Sequence, residues 1–206
     1  MQSSFRLPRV YPLTDVQLSG LSHADQVRLL SAGGATLVQL REKQMPALQF
    51  YEQAKAALRS GVQVIINDRV DVAMAIGANG VHLGQDDMPP EAARRLLGDK
   101  AIIGYSTHSV EQAKKALTLP IDYIAIGPIF TTSTKTNPSP TLGLDGLRAV
   151  RAAVSDVQLV AIGGISHSNA REVIEAGADS VAIISALLSS PDQISEATRT
   201  LINSLL

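Results

Sequence analysis

The segment Gln39-Leu40-Arg41-Glu42-Lys43 places an amide and two cations at alternate positions. On a strand, side chains two residues apart share a face. Gln39, Arg41 and Lys43 then point one way and Leu40 the other. If that face points into the fold, the three groups converge on one spot. Arginine offers forked hydrogen bonds to phosphate and lysine a compact charge. A diphosphate is the natural partner. The alternative is an exposed loop whose cations pair with Glu42.

Asp68 and Asp87 each lie just beyond a short apolar run. Side by side, two carboxylates suit Mg²⁺, which takes oxygen ligands and brings in substrate phosphates. Each aspartate also has a structural alternative. Asp68 can pair with Arg69, and Asp87 can open the helix that begins at Pro89-Pro90. Asp71, ahead of Val72-Ala73-Met74, is expected to cap a helix. Gly163-Gly164 and Ser185 suit a phosphate, because glycines let backbone approach an anion and a following helix start adds its dipole; the alternative is a plain tight turn. Thr131 to Leu142 reads as a long loop rich in hydroxyls. Within it, Thr132, Thr134 and Lys135 are placed to close over a substrate phosphate, or the loop is passive. His82 reads as a buried or rim histidine rather than a catalytic one. Ser106 and His108 come without an orienting acid, which argues against a nucleophilic triad.

These residues need elements to position them. Apolar runs alternate with helical patterns along the chain. The predicted strands are 10–14, 36–41, 62–66, 80–83, 101–105, 123–126, 159–162 and 180–184. The helices between and after them are predicted at 24–32, 46–59, 70–76, 90–97, 110–117, 144–154, 169–176 and 192–205. Strands such as Val64-Ile65-Ile66 are apolar throughout, as expected when both faces are buried under helices. Eight strand–helix units in 206 residues predict one α/β domain over residues 1–206, a near-minimal (β/α)8 TIM barrel. A doubly wound open sheet is the alternative. In such barrels the active site forms at the carboxyl ends of the strands, and the polar residues above fall at those ends. Gly34-Ala35, Gly77-Ala78-Asn79 and Gly177-Ala178-Asp179 read as one recurring helix-stop and turn.

Composition sets limits. Aromatic residues are 3% against 45% hydrophobic overall, so the core is aliphatic and offers few stacking platforms for single-stranded nucleic acid. A net charge of −1 gives no global field for nucleic acid or anionic membrane. With no cysteine, thiolate, disulfide and zinc-thiolate chemistry are excluded. No apolar run is long enough for a signal peptide or membrane helix, and a cytoplasmic protein is expected. A homo-oligomer is compatible with all of this.

The chain resembles the thiamine-phosphate synthase family. The likeness runs from Tyr11-Pro12-Leu13-Thr14-Asp15 to Ile183-Ile184-Ser185. It is carried chiefly by Val38 to Lys43, Ile65 to Arg69, Val81 to Asp87, and Gly127-Pro128-Ile129-Phe130 with the loop that holds Lys135. The resemblance implies a transferase that condenses hydroxymethylpyrimidine diphosphate with a thiazole phosphate, releasing diphosphate. It implies that Gln39, Arg41, Lys43 and Asn67 hold the pyrimidine diphosphate and that Asp68 and Asp87 bind Mg²⁺. Ser106 and Lys135, with Arg41, would act on the leaving group. Thr132, Thr134, Gly164, Ile184 and Ser185 would hold the thiazole phosphate. The alternatives are a thiazole tautomerase of the same superfamily and a non-catalytic phosphate-ligand binding protein.

Overall fold

The computed structural model describes residues 5–132 and 140–206. Eight parallel strands close into a barrel in sequence order, with the last paired to the first. They are β1 (Val10–Thr14), β2 (Leu37–Leu40), β3 (Gln63–Asn67), β4 (Gly80–Leu83), β5 (Ile102–Thr107), β6 (Tyr123–Ile126), β7 (Gln158–Ile162) and β8 (Ser180–Ile183). The helices are α1 (Val16–Ser19), α2 (His23–Ala32), α3 (Ala47–Ala57), α4 (Val70–Ile76), α5 (Pro90–Leu97), α6 (Val110–Ala116), α7 (Gly143–Val154), α8 (Ala170–Glu175), α9 (Ser185–Leu188) and α10 (Ile194–Ser204). The expected (β/α)8 barrel is therefore the fold, and the open sheet is ruled out by the β1–β8 pairing.

Alternation along each strand divides the core in two. Val38, Leu40, Val64, Ile66, Ile124 and Ile126 face the helices in one large aliphatic cluster. Tyr11, Leu13, Leu37, Ile65, Tyr123 and Val160 belong to a second cluster inside the barrel. Two of the four tyrosines thus fill the axis of an aromatic-poor protein. Their bulk needs space opposite. A Cβ on Gly104 would lie 2.0 Å from Cζ of Tyr123 and 2.5 Å from Nδ1 of His82. Below them, Phe5 and Leu7 close the amino-terminal end, tied down through Gln158, whose Oε1 accepts from the Leu7 N–H at 2.7 Å.

Several boundaries differ from expectation. β2 stops at Leu40, so Arg41 belongs to the following loop. β3 runs on to Asn67, and β5 runs to Thr107 rather than Tyr105. β5 is lengthened by pairing of Ser106 and Thr107 with Ala125 and Ile126, a long-range contact that local hydropathy does not encode. α1 and α9 were not expected, because four residues are too few to show a helical period. Among the described residues no helix is long and apolar enough to cross a membrane.

Two of the three recurring turns, those ending at Asn79 and Asp179, make a clamp that the turn Pro120-Ile121-Asp122 also makes. Before β4, β6 and β8 stand Asn79, Asp122 and Asp179. Each donates its backbone N–H to the preceding odd-numbered strand, at Val64, Ile103 and Leu159 respectively. Each also accepts that same residue's N–H on its side chain, at 2.8 Å in all three cases. The double bond fixes where the even strand starts. Asp122 also holds Arg94 at 2.8 Å. Asp122→Ala should therefore lower stability by about 1–3 kcal/mol. Urea denaturation will measure this, and turnover of the folded fraction should not change, because Asp122 is at the far end from the polar mouth.

Candidate active site

The carboxyl ends of the strands surround a cavity of about 520 Å³. Gln39, Arg41, Lys43, Asn67, Asp68, Asp87, Ser106, Thr132, Gly164, Ile184 and Ser185 all line it. Thr134 and Lys135 lie outside the described residues.

The alternation from Gln39 to Lys43 continues into the loop although the strand has ended. Gln39 is 3% exposed and donates from Nε2 to the Tyr11 hydroxyl at 3.1 Å. Arg41 meets Asp15 at 3.3 Å. Lys43 reaches across to Asp68. Glu42 does not pair with these cations. It turns away, accepts the backbone N–H groups of Lys43, Gln44 and Met45, and meets Nε2 of His23 at 3.2 Å. Burial pushes the Glu42 carboxyl up, but these N–H groups and the His23 ring outweigh it and hold it below the usual range. Burial lowers the His23 pKa against the pull of Glu42. A neutral His23 then donates from Nε2, and its Nδ1 accepts from Thr14 at 2.7 Å. Thr14 in turn accepts the Arg41 N–H at 3.3 Å. This buttress beneath the loop aims Arg41 and Lys43 at the cavity.

The carboxylates pair differently from the sequence-based alternatives. Arg69 binds Asp71, at 2.6 and 2.8 Å, rather than Asp68. Asp71 is not an N-cap. Arg69 holds the cap position of α4, and Asp71 sits in the first turn, where its charge suits the helix dipole. Asp68 has φ 61°, a left-handed conformation that aspartate and asparagine adopt more readily than other side chains. Asp87 does not cap α5, whose cap position is Pro89. Its Oδ2 accepts the Gly84 N–H at 2.7 Å. Burial, with the neighbouring Asp68 carboxylate, holds the Asp87 carboxyl above its ordinary range against the pull of Gly84 N–H and Lys43. Two carboxylates crowded in this way favour an added cation. Beside them, the buried Nδ2 of Asn67 has no partner among the described residues.

His82 and Ser106 are joined at 2.8 Å, from Nε2 to Oγ. Nδ1 of His82 meets the Tyr123 hydroxyl at 3.0 Å, so both ring nitrogens are bonded, as expected of a buried histidine. His108 is not Ser106's partner. Its Nδ1 donates to the Gly127 carbonyl at 2.6 Å. Across the cavity, Gly163 and Gly164 have φ of 103° and 65°. A Cβ on Gly164 would lie 2.6 Å from the Thr131 carbonyl oxygen, so this turn is open to glycine alone. α9 begins at Ser185 beside it, where the first N–H groups, of Ser185 and Ala186, precede any that can bond back within the helix. Asp15, His23, Tyr11 and Tyr123 were not read from sequence as parts of the site. Only Asp15, next after a strand end, carried a positional signal.

A model of the family described as thiamine monophosphate synthase matches residues 10–187. The thiamine-phosphate synthase of Chloroflexus aurantiacus is 47% identical over 94% of this chain and 90% of its own length. That of Koribacter versatilis is 48% identical over 94% and 95%. The structure of a thiamine phosphate pyrophosphorylase from Pyrococcus furiosus is 37% identical, covers 96% of this chain and 95% of its own, and superposes with a TM-score of 0.85.

Burial lowers the His82 pKa from 6.5 to about 4, with Asp87 opposing and Lys43 assisting. The unfolded chain then binds the extra proton first as pH falls. Stability should be complete above about pH 6.5 and decline by up to about 3 kcal/mol on acidification towards pH 4. Urea titrations across this window will measure the slope. In His82→Asn it should be shallower, and an unchanged slope would place the effect elsewhere.

Proposed function

The chain belongs to the thiamine monophosphate synthase family, and on that premise we propose that it joins a hydroxymethylpyrimidine, delivered as its diphosphate, to a thiazole phosphate. The products are thiamine phosphate and diphosphate. The bond between the pyrimidine methylene carbon and the diphosphate oxygen breaks, and a bond to the thiazole nitrogen forms. One observation carries this reading. A cation and carboxylate side, from Arg41 to Asp87, faces a glycine and helix-start side, Gly163 to Ser185, across one cavity. Two anionic groups of different size can thus meet over one barrel mouth.

In this reading Gln39 and Asn67 orient the pyrimidine, and Arg41, Lys43 and Ser106 take the diphosphate. Asn67 suits that role because its buried Nδ2 has no partner among the described residues. Lys135 would join them, and Thr132 and Thr134 with Gly164, Ile184 and Ser185 would take the thiazole phosphate. Asp68 and Asp87 are the residues that would hold Mg²⁺. The raised Asp87 pKa fits, since a divalent cation would offset both the burial and the Asp68 repulsion that raise it. No group of three or more acidic or histidine ligands occurs among the described residues, and Mg²⁺ commonly takes one or two carboxylates with waters and phosphate oxygens completing the shell. When bound, the ion would neutralise charge developing on the leaving diphosphate. Protein residues stabilise the same charge: Arg41 through forked donors, Lys43 through a point charge and Ser106 through its hydroxyl. No protein nucleophile is needed if diphosphate departs with the bonding pair and the thiazole nitrogen attacks the pyrimidinylmethyl cation left behind. A tautomerase needs no diphosphate side, so the carboxylate pair weighs against that alternative.

Purified protein with both substrates should form thiamine phosphate with Mg²⁺ and little with chelator. Product in neither sample would contradict the synthase reading, and equal rates would contradict the metal role. Asp68→Asn removes the charge and keeps a side chain that tolerates the left-handed backbone. It should lower turnover by roughly 100-fold or more while the denaturation midpoint stays close to wild type. A variant that melts early yet turns over normally when folded would make Asp68 structural.

A further inference from the structure

Five polar side chains form a continuous path through the apolar barrel interior. Gln39 Nε2 donates to the Tyr11 hydroxyl at 3.1 Å. Tyr11 meets Tyr123, hydroxyl to hydroxyl, at 2.9 Å. Tyr123 meets Nδ1 of His82 at 3.0 Å, and Nε2 of His82 meets Ser106 Oγ at 2.8 Å. The members come from β2, β1, β6, β4 and β5. Gln39, Tyr11, His82 and Ser106 all border the cavity floor, Tyr123 lies beneath it, and Tyr11, Tyr123 and His82 are buried.

Each hydroxyl has one proton, so the direction of the path follows from its ends. The Gln39 amide nitrogen can only donate, so Tyr11 accepts there. A buried hydroxyl proton needs an acceptor. The Tyr11 proton goes to Tyr123, the Tyr123 proton to Nδ1 of His82, and the ring proton then sits on Nε2 and is donated to Ser106. Ser106 Oγ accepts from within the barrel and keeps its own proton for the cavity. The reverse order would turn the Gln39 amide round and direct the Ser106 proton inward, leaving no donor for an anion.

We infer that Tyr11, Tyr123 and His82 are positioning residues that hold the Ser106 hydroxyl as a donor towards the anion and lock the Gln39 amide with its oxygen free for substrate. The path couples the two ends of the pyrimidine diphosphate site through the barrel interior. Gly104 is part of the device, because any Cβ there would displace both the Tyr123 and His82 rings. The functional consequence rests on the synthase reading, whereas the proton order does not.

The test has two readouts. Nitrogen NMR of ¹⁵N-histidine-labelled full-length protein at neutral pH, without substrate, should show His82 as one neutral tautomer with its proton on Nε2. Tyr123→Phe keeps the ring but removes the proton that makes Nδ1 the acceptor, and should convert His82 to a mixture of tautomers. In the coupling assay it should lower kcat about fivefold to tenfold, as for one lost hydrogen bond, with KM for the thiazole phosphate unchanged. Tyr11→Phe leaves the Tyr123 hydroxyl only His82 to donate to, so the proton should stay on Nε2, and this variant serves alone if Tyr123→Phe does not fold. A wild-type proton on Nδ1, a His82 tautomer unmoved in Tyr123→Phe, or a proton moved to Nδ1 in Tyr11→Phe would overturn the proton order. Wild-type turnover retained by a variant with mixed tautomers would overturn the positioning role. Failure of wild-type enzyme to form product, with the tautomer as expected, would count against the synthase reading alone.

Discussion

Inside the barrel, the hydroxyls of Tyr11 and Tyr123 meet at 2.9 Å, and much else is arranged around that contact. A polar group without a partner in an aliphatic interior is costly. Once two phenols fill the axis, each neighbour must complete their bonding. Gln39 closes one end and His82 the other. Gly104 must lack a side chain for the rings to fit. His82 remains neutral because it is buried, and a neutral ring has one donor and one acceptor. Packing of the barrel axis and the arrangement of donors at the mouth are therefore one problem with one solution.

The mouth itself works by local charge. With a net charge of −1, attraction of anions depends on where cations sit. Arg41 and Lys43 are placed by the loop after β2, and that loop is shaped from below by Glu42, His23 and Thr14. The acid in the Arg-Glu-Lys segment thus holds the backbone while its flanking bases face the cavity. Each base meets an aspartate, Asp15 or Asp68. These contacts keep the cations oriented, and incoming phosphate oxygens would compete for them. The opposite side contributes little charge and relies on backbone, at Gly163-Gly164 and the start of α9.

The barrel was legible because its strands are apolar runs of the right length, separated by helices of the right length. Polar residues at strand ends were legible because this fold puts them together. Pairings across the barrel were not. Tyr11 and Tyr123 read as ordinary core residues, since nothing local marks two strands as neighbours of a common axis. His23 fell just ahead of the predicted helix, and its bond to Glu42 spans 19 positions. Pairing of Arg69 with Asp68 was the alternative to metal binding, and Arg69 binds Asp71 instead. The recurring glycine turns were visible as pattern, whereas the clamp that Asn79, Asp122 and Asp179 make on the preceding strand became visible only with both strands in place.

We propose that Arg41, Lys43 and the Asp68–Asp87 pair form a diphosphate site completed by a divalent cation. Calorimetry with inorganic diphosphate tests it without relying on turnover. With Mg²⁺ present, one diphosphate should bind per chain, and affinity should fall at least about tenfold when the ion is chelated. Equal affinity with and without Mg²⁺ would contradict the account.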